Sequence, residues 1–392
     1  MASDREFDII VYGASGYTGR LVGEYLQKTY GDDPDLSFAL AGRNLEKLAS
    51  VRAEMGLPDS VALVAANADE PQSLRDMANR ARVIITTVGP YQLYGSDLVA
   101  ACAETGTDYV DLCGEPNWMR EMIDAHSKTA EDNGARIVFS CGFDSIPSDL
   151  GILVLQDEAK RRFGAPVPRV KGRVRAMNGT FSGGTAASLK ATMAAAAQNP
   201  SIIPLLQNPY ALAPGFEGPE QPNGMVVAHD PAVDSWVAPF IMAAINTKNV
   251  HRSNALLGHA YGTDFLYDEM VMTGPGETGQ KTAEMMATAN PLGGDDAPKP
   301  GEGPSKEERE AGNYDILYVG ETADGQRVDA VVTGDKDPGY GSTSKMLSEA
   351  AICLIRDCAE TPAGIWTPAA AMGNKLVERL VANAGMTFDI ID

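Results

Sequence analysis

Histidine, cysteine and positive charge are scarce in this chain of 392 residues. The four histidines stand apart and the five cysteines form no CxxC pair, so neither residue type shows the spacing of a metal site or a disulfide framework. We therefore expect no bound metal, and reduced cysteines that are buried as small apolar residues. The 32 Lys and Arg residues face 53 Asp and Glu residues, which gives a net charge of −21. Because such a surface repels nucleic acid, we expect no nucleic-acid partner.

Long apolar segments are also missing. The longest apolar run, residues 236–245, is too short to cross a bilayer. The first six residues contain no apolar signal-peptide region and lead directly into a predicted strand. These features predict a cytoplasmic protein without a transmembrane segment. Peripheral contact with a membrane and assembly into a homodimer both stay open.

A glycine-rich turn near the N-terminus is the strongest local signal. The apolar run 7–12 ends at Gly13, Gly16 and Gly19 follow, and a helical pattern begins at about Tyr17. Free backbone N–H groups and the helix dipole at such a turn attract phosphate, whereas the alternative is an ordinary glycine-rich βα turn. Gly13 would allow the tight turn, Gly16 the approach of a pyrophosphate and Gly19 close helix packing. The residues predicted to contact a dinucleotide here are Gly13, Ala14, Ser15, Gly16, Tyr17, Thr18 and Gly19.

The remaining pattern predicts an α/β protein with two sheets. Over residues 1–145, six short strands alternate with helices, which is typical of a doubly wound Rossmann domain with a parallel sheet in the order 3-2-1-4-5-6. Residues 146–340 contain strands joined by a hairpin turn at Asp324-Gly325, which predicts a second α+β domain with a mainly antiparallel sheet. Residues 341–392 should form two helices and a last strand.

Two segments of the second region have a distinctive composition. Lys171, Arg173 and Arg175 alternate with apolar residues, so they form either a solvated strand face or contacts to the phosphates of a coenzyme A or carrier arm. Residues 290–312 are rich in Pro, Gly, Asp and Glu, and we expect them to form a mobile surface loop.

Arg43 follows the second strand, where a dinucleotide's adenosine ribose should lie. NAD-dependent sites place a carboxylate at this point, whereas the 2′-phosphate of NADP requires a cation. The sequence reads Ala-Gly-Arg-Asn without an acid, so we predict that Arg43, together with Asn44, binds NADP(H). Asp69 after the third strand could bond the adenine amino group or cap the next helix.

The end of the fourth strand should lie beside the nicotinamide. There Gly89 would allow close passage of the cofactor, and the phenol of Tyr91 would protonate the carbon or oxygen that hydride addition leaves negative, or only pack on the cofactor. Asp144, at the passage to the second domain, is either a second acid or a turn residue. Tyr340 and Lys345 are weaker candidates. The residues predicted to contact the cofactor at this strand are Val88, Gly89, Pro90 and Tyr91.

Seven motifs together resemble one enzyme family over nearly the whole chain. They are GASGYTGR from Gly13, AGRNLEKL from Ala41, VGPYQLYG from Val88, YVDLCGE from Tyr109, CGFDSIPSD from Cys141, SGGTAAS from Ser182 and GYGSTSKMLSEAA from Gly339. The chain resembles the saccharopine dehydrogenase-like oxidoreductases, most closely their trans-acting enoyl reductase branch. The resemblance implies an NADP-binding Rossmann domain, a second α+β domain inserted in it, and a C-terminal segment that returns to the first domain.

The resemblance and the composition together predict an NADP(H)-dependent oxidoreductase. We expect reduction of an enoyl C=C or a C=O bond in an acyl or polyketide-lipid intermediate, either as a free hydrophobic molecule or bound to a carrier. The alternatives are a saccharopine-type amino-acid or imine reductase and a non-catalytic NADP-binding scaffold. The carboxylate-binding pattern of saccharopine reductases is not traceable here. Residues 202–216 and 235–245 carry no charge and contain several prolines, so we expect them to form irregular apolar segments. These segments should line an apolar groove for the substrate, with Tyr91 nearest the reacting carbon.

Overall fold

The computed structural model describes residues 5–179, 183–289 and 303–391. Over its first 140 residues strands alternate with helices, as the apolar runs predict. The strands are β1 (Phe7–Tyr12), β2 (Phe38–Gly42), β3 (Ala62–Ala65), β4 (Ala81–Thr86), β5 (Asp108–Val110) and β6 (Arg136–Val138). The helices are α1 (Tyr17–Tyr30), α2 (Leu45–Glu54), α3 (Pro71–Ala78), α4 (Tyr91–Tyr94), α5 (Ser96–Thr105) and α6 (Pro116–Asn133).

The rest of the chain supplies a second sheet and the helices between the sheets. Its helices are α7 (Ile146–Phe163), α8 (Gly183–Gln198), α9 (Ile202–Gln207), α10 (Ala243–Leu256), α11 (Gly276–Thr288), α12 (Lys306–Ala311), α13 (Thr343–Arg356) and α14 (Pro368–Arg379). Its strands are β7 (Arg169–Asn178), β8 (Ala228–Asp230), β9 (Ser235–Pro239), β10 (Leu266–Gly274), β11 (Asn313–Glu321), β12 (Arg327–Gly334), β13 (Gly364–Trp366) and β14 (Met386–Ile391). Short π-helical turns precede α13 at Pro338–Ser342 and follow α14 at Leu380–Ala384.

The first sheet has the order β13-β6-β5-β4-β1-β2-β3, and all its pairs are parallel. The predicted order 3-2-1-4-5-6 is therefore confirmed, with β13 added beyond β6. Strands β1 and β4 are buried at five of six positions each, because helices cover both faces of the sheet. The carboxyl ends of β1, β4 and β5 consequently meet at one edge.

The second sheet has the order β14-β12-β11-β7-β10-β9-β8. Only the pair of β7 and β10 is parallel, which confirms a mainly antiparallel sheet. Helix α7 packs on β11, β12 and β14, while α13 packs on β4 and β5 of the first sheet. Helix α14 lies against both helices, and the buried apolar side chains of the two sheets form one connected core.

The C-terminal segment differs in part from the expectation that it returns to the first domain. Helix α13 and strand β13 do join the Rossmann sheet. The last strand, β14, instead pairs antiparallel with β12 at the edge of the second sheet. Its pattern could not distinguish these two edges, because a strand's periodicity shows which face is buried and not which partner it takes.

The cations of β7 take neither of the roles considered for them. Arg173 is buried at 3% exposure and bonds Asp230 at 2.7 Å and Asp268 at 2.8 Å. Lys171 also contacts Asp230, and Arg175 bonds the carboxylate of Asp315 at 2.7 Å. Lys171 and Arg173 pair with carboxylates of β8 and β10, and Arg175 pairs with a carboxylate of β11 while it stays partly exposed, so these cations offer no open phosphate site.

The segment predicted as a mobile loop contains a helix where the structure describes it, while its mobility stays a prediction. Residues 290–302 of that prediction lie outside the described residues. Helix α12 begins at a capping box in which Ser305 and Glu308 bond each other's backbone N–H groups. Residues 303–312 therefore form structure of their own, contrary to the prediction. The expectation that residues 235–245 are irregular is also wrong, because they contain β9 and the start of α10.

We predict that Arg173→Met destabilises the protein. It removes the cation shared by two buried carboxylates, a change that typically costs ~3–5 kcal/mol of unfolding free energy. Because Arg169 and Lys171 still contact those carboxylates, we expect a value near the lower end. The control is Arg175→Met on the same strand face, whose pair is one-third exposed and should cost at most ~1 kcal/mol. Denaturant unfolding measures both, and equal losses would contradict this assignment.

Candidate cofactor and substrate site

The glycine turn at residues 13–16 connects β1 to α1 and leaves the first turn of the helix open. Gly16 precedes the helix, no side chain caps it, and no acidic residue lies in the first turn. The N–H groups at the start of α1 are thus available to an anion, at the positive end of the helix dipole. No acidic residue or capping group of the turn competes with a phosphate.

At Gly13 and Gly19 other parts of the chain come so close that a side chain would not fit. Gly13 has a φ of +89°, and a Cβ there would meet Thr87 Oγ1 at 2.7 Å and Val88 Cγ2 at 2.8 Å. A Cβ on Gly19 would lie 2.3 Å from the carbonyl oxygen of Gly13, so helix α1 could not pack on the turn. These contacts are the tight turn and the close helix packing that the sequence predicts. A Cβ on Gly16 would meet only the Gly13 carbonyl oxygen, at 3.3 Å.

The predicted adenosine-binding residues lie together at the ends of β2 and β3. Arg43 is exposed directly after β2, and Asp69 is exposed after β3. Both act on the buried phenol of Tyr12, whose pKa is raised to about 12 by burial and by Asp69, with Arg43 opposing the shift. Asn44 caps α2, because its side-chain oxygen accepts the Lys47 N–H at 2.9 Å. Asp69 is not a helix cap, since Glu70 precedes α3.

The hydroxyl group of Tyr91 is used within the Rossmann domain. It donates to the Thr86 carbonyl oxygen at 3.2 Å and accepts the Leu112 N–H at 3.3 Å. The ring is 4% exposed and packs against Trp118 with centroids 5.5 Å apart. Burial, followed by the charge of Asp111, raises the pKa of Tyr91 well above its usual value. The hydroxyl group is thus engaged with the backbone and the ring with Trp118, whereas packing of Tyr91 on the cofactor stays a prediction.

Asp144 has the environment of a general acid. Its carboxyl group lies between the two domains, beside Gly114, where a Cβ would meet Asp144 Oδ2 at 3.2 Å. Burial raises its pKa to about 7. Among the described residues no side chain or backbone group hydrogen-bonds this carboxyl group, so its proton is not committed to a protein partner.

Glu115 and Ser188 attach helix α8 to the Rossmann domain. The buried Glu115 carboxylate accepts the N–H groups of Tyr91 at 2.8 Å and Gln92 at 2.9 Å, together with the Ser188 hydroxyl at 2.6 Å. Gln92 also donates to Thr192 Oγ1 at 3.1 Å. Glu115 is not among the site residues predicted from the sequence. It is the last residue of the YVDLCGE motif, which could have drawn attention to it. The contacts of its carboxylate with α4 and α8 depend on the fold and cannot be read from that motif.

One cavity of about 420 Å³ joins the glycine turn to these elements. Its Rossmann wall includes Gly16, Tyr17, Thr18, Gly89, Tyr91 and Leu112. Its opposite wall, from α8, α9 and α10, includes Leu189, Met193, Ala196, Leu206, Ile241, Met242, Ala244 and Ile245. Asp144 is the one charged residue among the lining residues that the structure describes, and none of them is a lysine or an arginine.

The structure therefore separates the predicted site residues into two groups. The turn, Gly89, Tyr91 and Asp144 share the cavity, whereas Arg43, Asn44 and Asp69 lie at the adjoining ends of β2 and β3. Tyr340 lines the cavity, but Lys345 contacts Asp335 and the Ala384 carbonyl oxygen instead. Cys113 and Cys141 are fully buried thiols, as expected. In residues 5–179, 183–289 and 303–391 we find no cluster of metal-ligating side chains and no helix with the length and apolarity to span a bilayer.

Comparison with known proteins assigns the class. Residues 9–138 match the saccharopine dehydrogenase NADP-binding domain. In fold, the chain is similar to apo saccharopine dehydrogenase (L-Glu forming) from Saccharomyces cerevisiae, with a TM-score of 0.57 and 11% identity over 98% of this chain and 100% of that one. The match of residues 9–138 identifies an NADP-binding domain, and the likeness to the solved structure supports the same fold.

More similar sequences define the family. The chain is 42% identical over 409 residues to a candidate trans-acting enoyl reductase of Mycobacterium tuberculosis strain H37Rv, covering 97% of each chain. It is 38% identical to the trans-acting enoyl reductase of Mycobacterium ulcerans, covering 97% of this chain and 96% of that one. The chain belongs to the saccharopine dehydrogenase-like oxidoreductases, near the branch of the trans-acting enoyl reductases.

The described residues fit NADP(H). The open N-terminus of α1 and the uncrowded position of Gly16 suit a pyrophosphate. Arg43 follows β2, where the 2′-phosphate should lie, and it has no carboxylate partner among the described residues. When bound, the nicotinamide supplies or accepts the hydride. The glycine turn and Arg43 are the residues that would hold this cofactor.

We predict that Arg43→Ala lowers affinity for NADPH and leaves affinity for NADH nearly unchanged. Loss of a charge-assisted phosphate contact should weaken NADPH binding by ~1.5–3 kcal/mol, roughly 10- to 150-fold, and NADH lacks that phosphate. Titration of both proteins with both cofactors by fluorescence measures the effect. Equal affinity of the unaltered protein for the two cofactors would refute the role of Arg43.

Proposed function

We propose that this protein reduces the C=C bond of a 2,3-unsaturated acyl thioester, with NADPH as the hydride donor. The observation that carries the proposal is the single cavity that joins the glycine turn to the apolar wall of α8, α9 and α10. Its volume lies in the range of ordinary ligand sites. The identity to trans-acting enoyl reductases supports the same reaction class.

The lining of the cavity argues against an amino-acid substrate. A dicarboxylic amino acid needs fixed cations beside the cofactor, and no lysine or arginine occurs among the described lining residues. An acyl chain needs only apolar contact, and each methylene that it buries contributes ~0.8 kcal/mol of binding free energy.

Helix α8 gives the substrate space its length. Thr185, near the start of the helix, and Ala196, near its end, both line the cavity. Eleven residues of helix correspond to roughly 16 Å along its axis. The end near Thr185 lies beside Tyr340, whose hydroxyl accepts the Gly183 N–H at 3.3 Å, and Tyr340 packs on Tyr17 of the glycine turn. The acyl chain would therefore run along α8, away from the cofactor.

Asp144 is the proposed proton donor. The hydride adds to C3 of the enoyl group, the π electrons move to C2, and C2 takes the proton of the Asp144 carboxyl group. The C=C bond becomes a single bond, and the resulting carboxylate recovers its proton from water. A carboxyl group with a pKa of about 7 can hold this proton at neutral pH and still release it. Tyr91 then has a positioning role, since its hydroxyl links the ends of β4 and β5.

The function is tested by chain length. The substrates are the pantetheine thioesters of trans-2-butenoate and trans-2-dodecenoate, and the measurement is the rate of NADPH oxidation. At limiting thioester concentration the dodecenoyl substrate should react faster than the butenoyl substrate, because its longer chain buries more methylene groups. Ala196→Phe should block the far end of the cavity, so it should slow the dodecenoyl substrate and spare the butenoyl substrate. A preference for the short chain, or NADPH binding without turnover of any thioester, would refute the proposal; the second result would indicate a scaffold.

The proton donor is tested by pH dependence. Because the protonated form of Asp144 is active, kcat/KM should be highest below pH 7 and fall as the pH rises through about 7. Asp144→Asn should remove this decline and lower the rate by ~10²- to 10⁴-fold. Tyr91→Phe should retain both the decline and most of the rate. If instead Tyr91→Phe removes activity and Asp144→Asn does not, the sequence-based role of Tyr91 as proton donor is restored.

A further inference from the structure

A segment of the second domain lies on the glycine turn of the first. Residues 303–312 contain α12, and we call them the strap. At one end a Cβ on Gly303 would lie 2.5 Å from the ring of Tyr17, and at the other a Cβ on Gly312 would lie 2.5 Å from Asp337. The Asp337 N–H also donates to the Arg309 carbonyl oxygen at 3.0 Å. Both ends of the strap are thus in close contact with the body of the protein.

The strap carries Arg309 to the residue at which α1 begins. Arg309 Nη1 donates to the hydroxyl group of Tyr17 and, at 2.9 Å, to the Pro304 carbonyl oxygen. The Tyr17 hydroxyl in turn donates to Pro304. The guanidinium lies 5.4 Å from the centre of the Tyr17 ring, whose surroundings also include the ring of Tyr340, with centroids 4.7 Å apart. Tyr17 is the first residue of α1 and lines the cavity.

Arg309 has unused capacity for an anion. It forms no ion pair with a carboxylate in residues 5–179, 183–289 and 303–391, although the chain carries 53 acidic residues. The hydrogen bonds of Arg309 within these residues leave from Nη1, so Nε and Nη2 have no acceptor among them. Nε and Nη2 form the edge of a guanidinium that binds two phosphate oxygens at once. The charge of Arg309 acts to lower the pKa of Asp337, but the two side chains form no ion pair. The Asp337 carboxylate instead accepts the N–H groups of Tyr340 and Gly341.

We propose that Arg309 is a second phosphate-binding cation, which binds the cofactor pyrophosphate from the side of the second domain. The inference rests on the NADP-binding role of the glycine turn. Arg43 and Arg309 then hold the two anionic parts of the cofactor, the 2′-phosphate at the end of β2 and the pyrophosphate at the start of α1. In a protein of net charge −21, a polyanionic ligand needs such local cations. Arg309 also couples the strap to cofactor binding, because Tyr17 contacts both.

The test separates the two arginines by the cofactor that each affects. NADH and NADPH share the pyrophosphate, so Arg309→Gln should weaken both by a similar factor, about 10-fold. Arg43→Ala should weaken NADPH alone. The matched control is Lys306→Gln, which removes one charge from the same helix at a side chain 72% exposed and should leave both dissociation constants unchanged. Fluorescence titration measures the constants, and thermal unfolding without cofactor reports on the fold.

Three results would overturn the proposal. If Arg309→Gln leaves the affinity for both cofactors unchanged, the guanidinium does not contact phosphate. If its melting temperature also falls, the contacts of Arg309 stabilise the fold only. A loss confined to NADPH places Arg309 at the 2′-phosphate. Arg309→Lys should recover part of the affinity, because a point charge replaces the two-oxygen contact. Since no readout depends on catalytic turnover, failure of the enoyl-reductase proposal would leave these results unchanged.

Discussion

The close approach of helix α1 to the end of β1 is the contact on which the site depends. Gly19 permits it, because any side chain there would collide with the carbonyl oxygen of Gly13. Gly13 in turn lies within van der Waals distance of the chain that follows β4. The start of α1, the end of β4 and the space between them are thereby fixed relative to each other. A pyrophosphate on the helix and a nicotinamide beside β4 both require this arrangement.

The second domain completes the site through a few polar contacts. Glu115 bonds the backbone of α4 and the hydroxyl group of Ser188, so it holds the apolar helix α8 over the cofactor edge of the Rossmann sheet. Asp144 lies where the two domains meet, in a space with little competing polarity, and burial accordingly raises its pKa. The same arrangement places an apolar surface beside a carboxyl group whose pKa is raised to about 7. Each domain alone lacks one of these two parts.

The sequence predicted what depends on local patterns and missed what depends on distant partners. The glycine turn and the six strands with their order were predictable, because they follow from neighbouring residues and from the connection rules of parallel sheets. Helix α7 was not predicted, since its first part is buried almost all round and therefore lacks the polar face that marks an amphipathic helix. The place of β14, the hydroxyl partners of Tyr91 and the role of Glu115 each involve residues of distant segments. No spacing in the chain reports those pairings.

The central claim is that hydride reaches C3 of an acyl chain held along α8. The most direct measurement is to supply NADPH deuterated at C4 of the nicotinamide together with trans-2-dodecenoyl pantetheine thioester, and to locate the deuterium in the product by mass spectrometry and NMR. The account predicts a saturated dodecanoyl thioester with deuterium at C3 and a solvent-derived hydrogen at C2. Deuterium at C1 of an aldehyde or alcohol, or a thioester that stays unsaturated and free of deuterium, would contradict it.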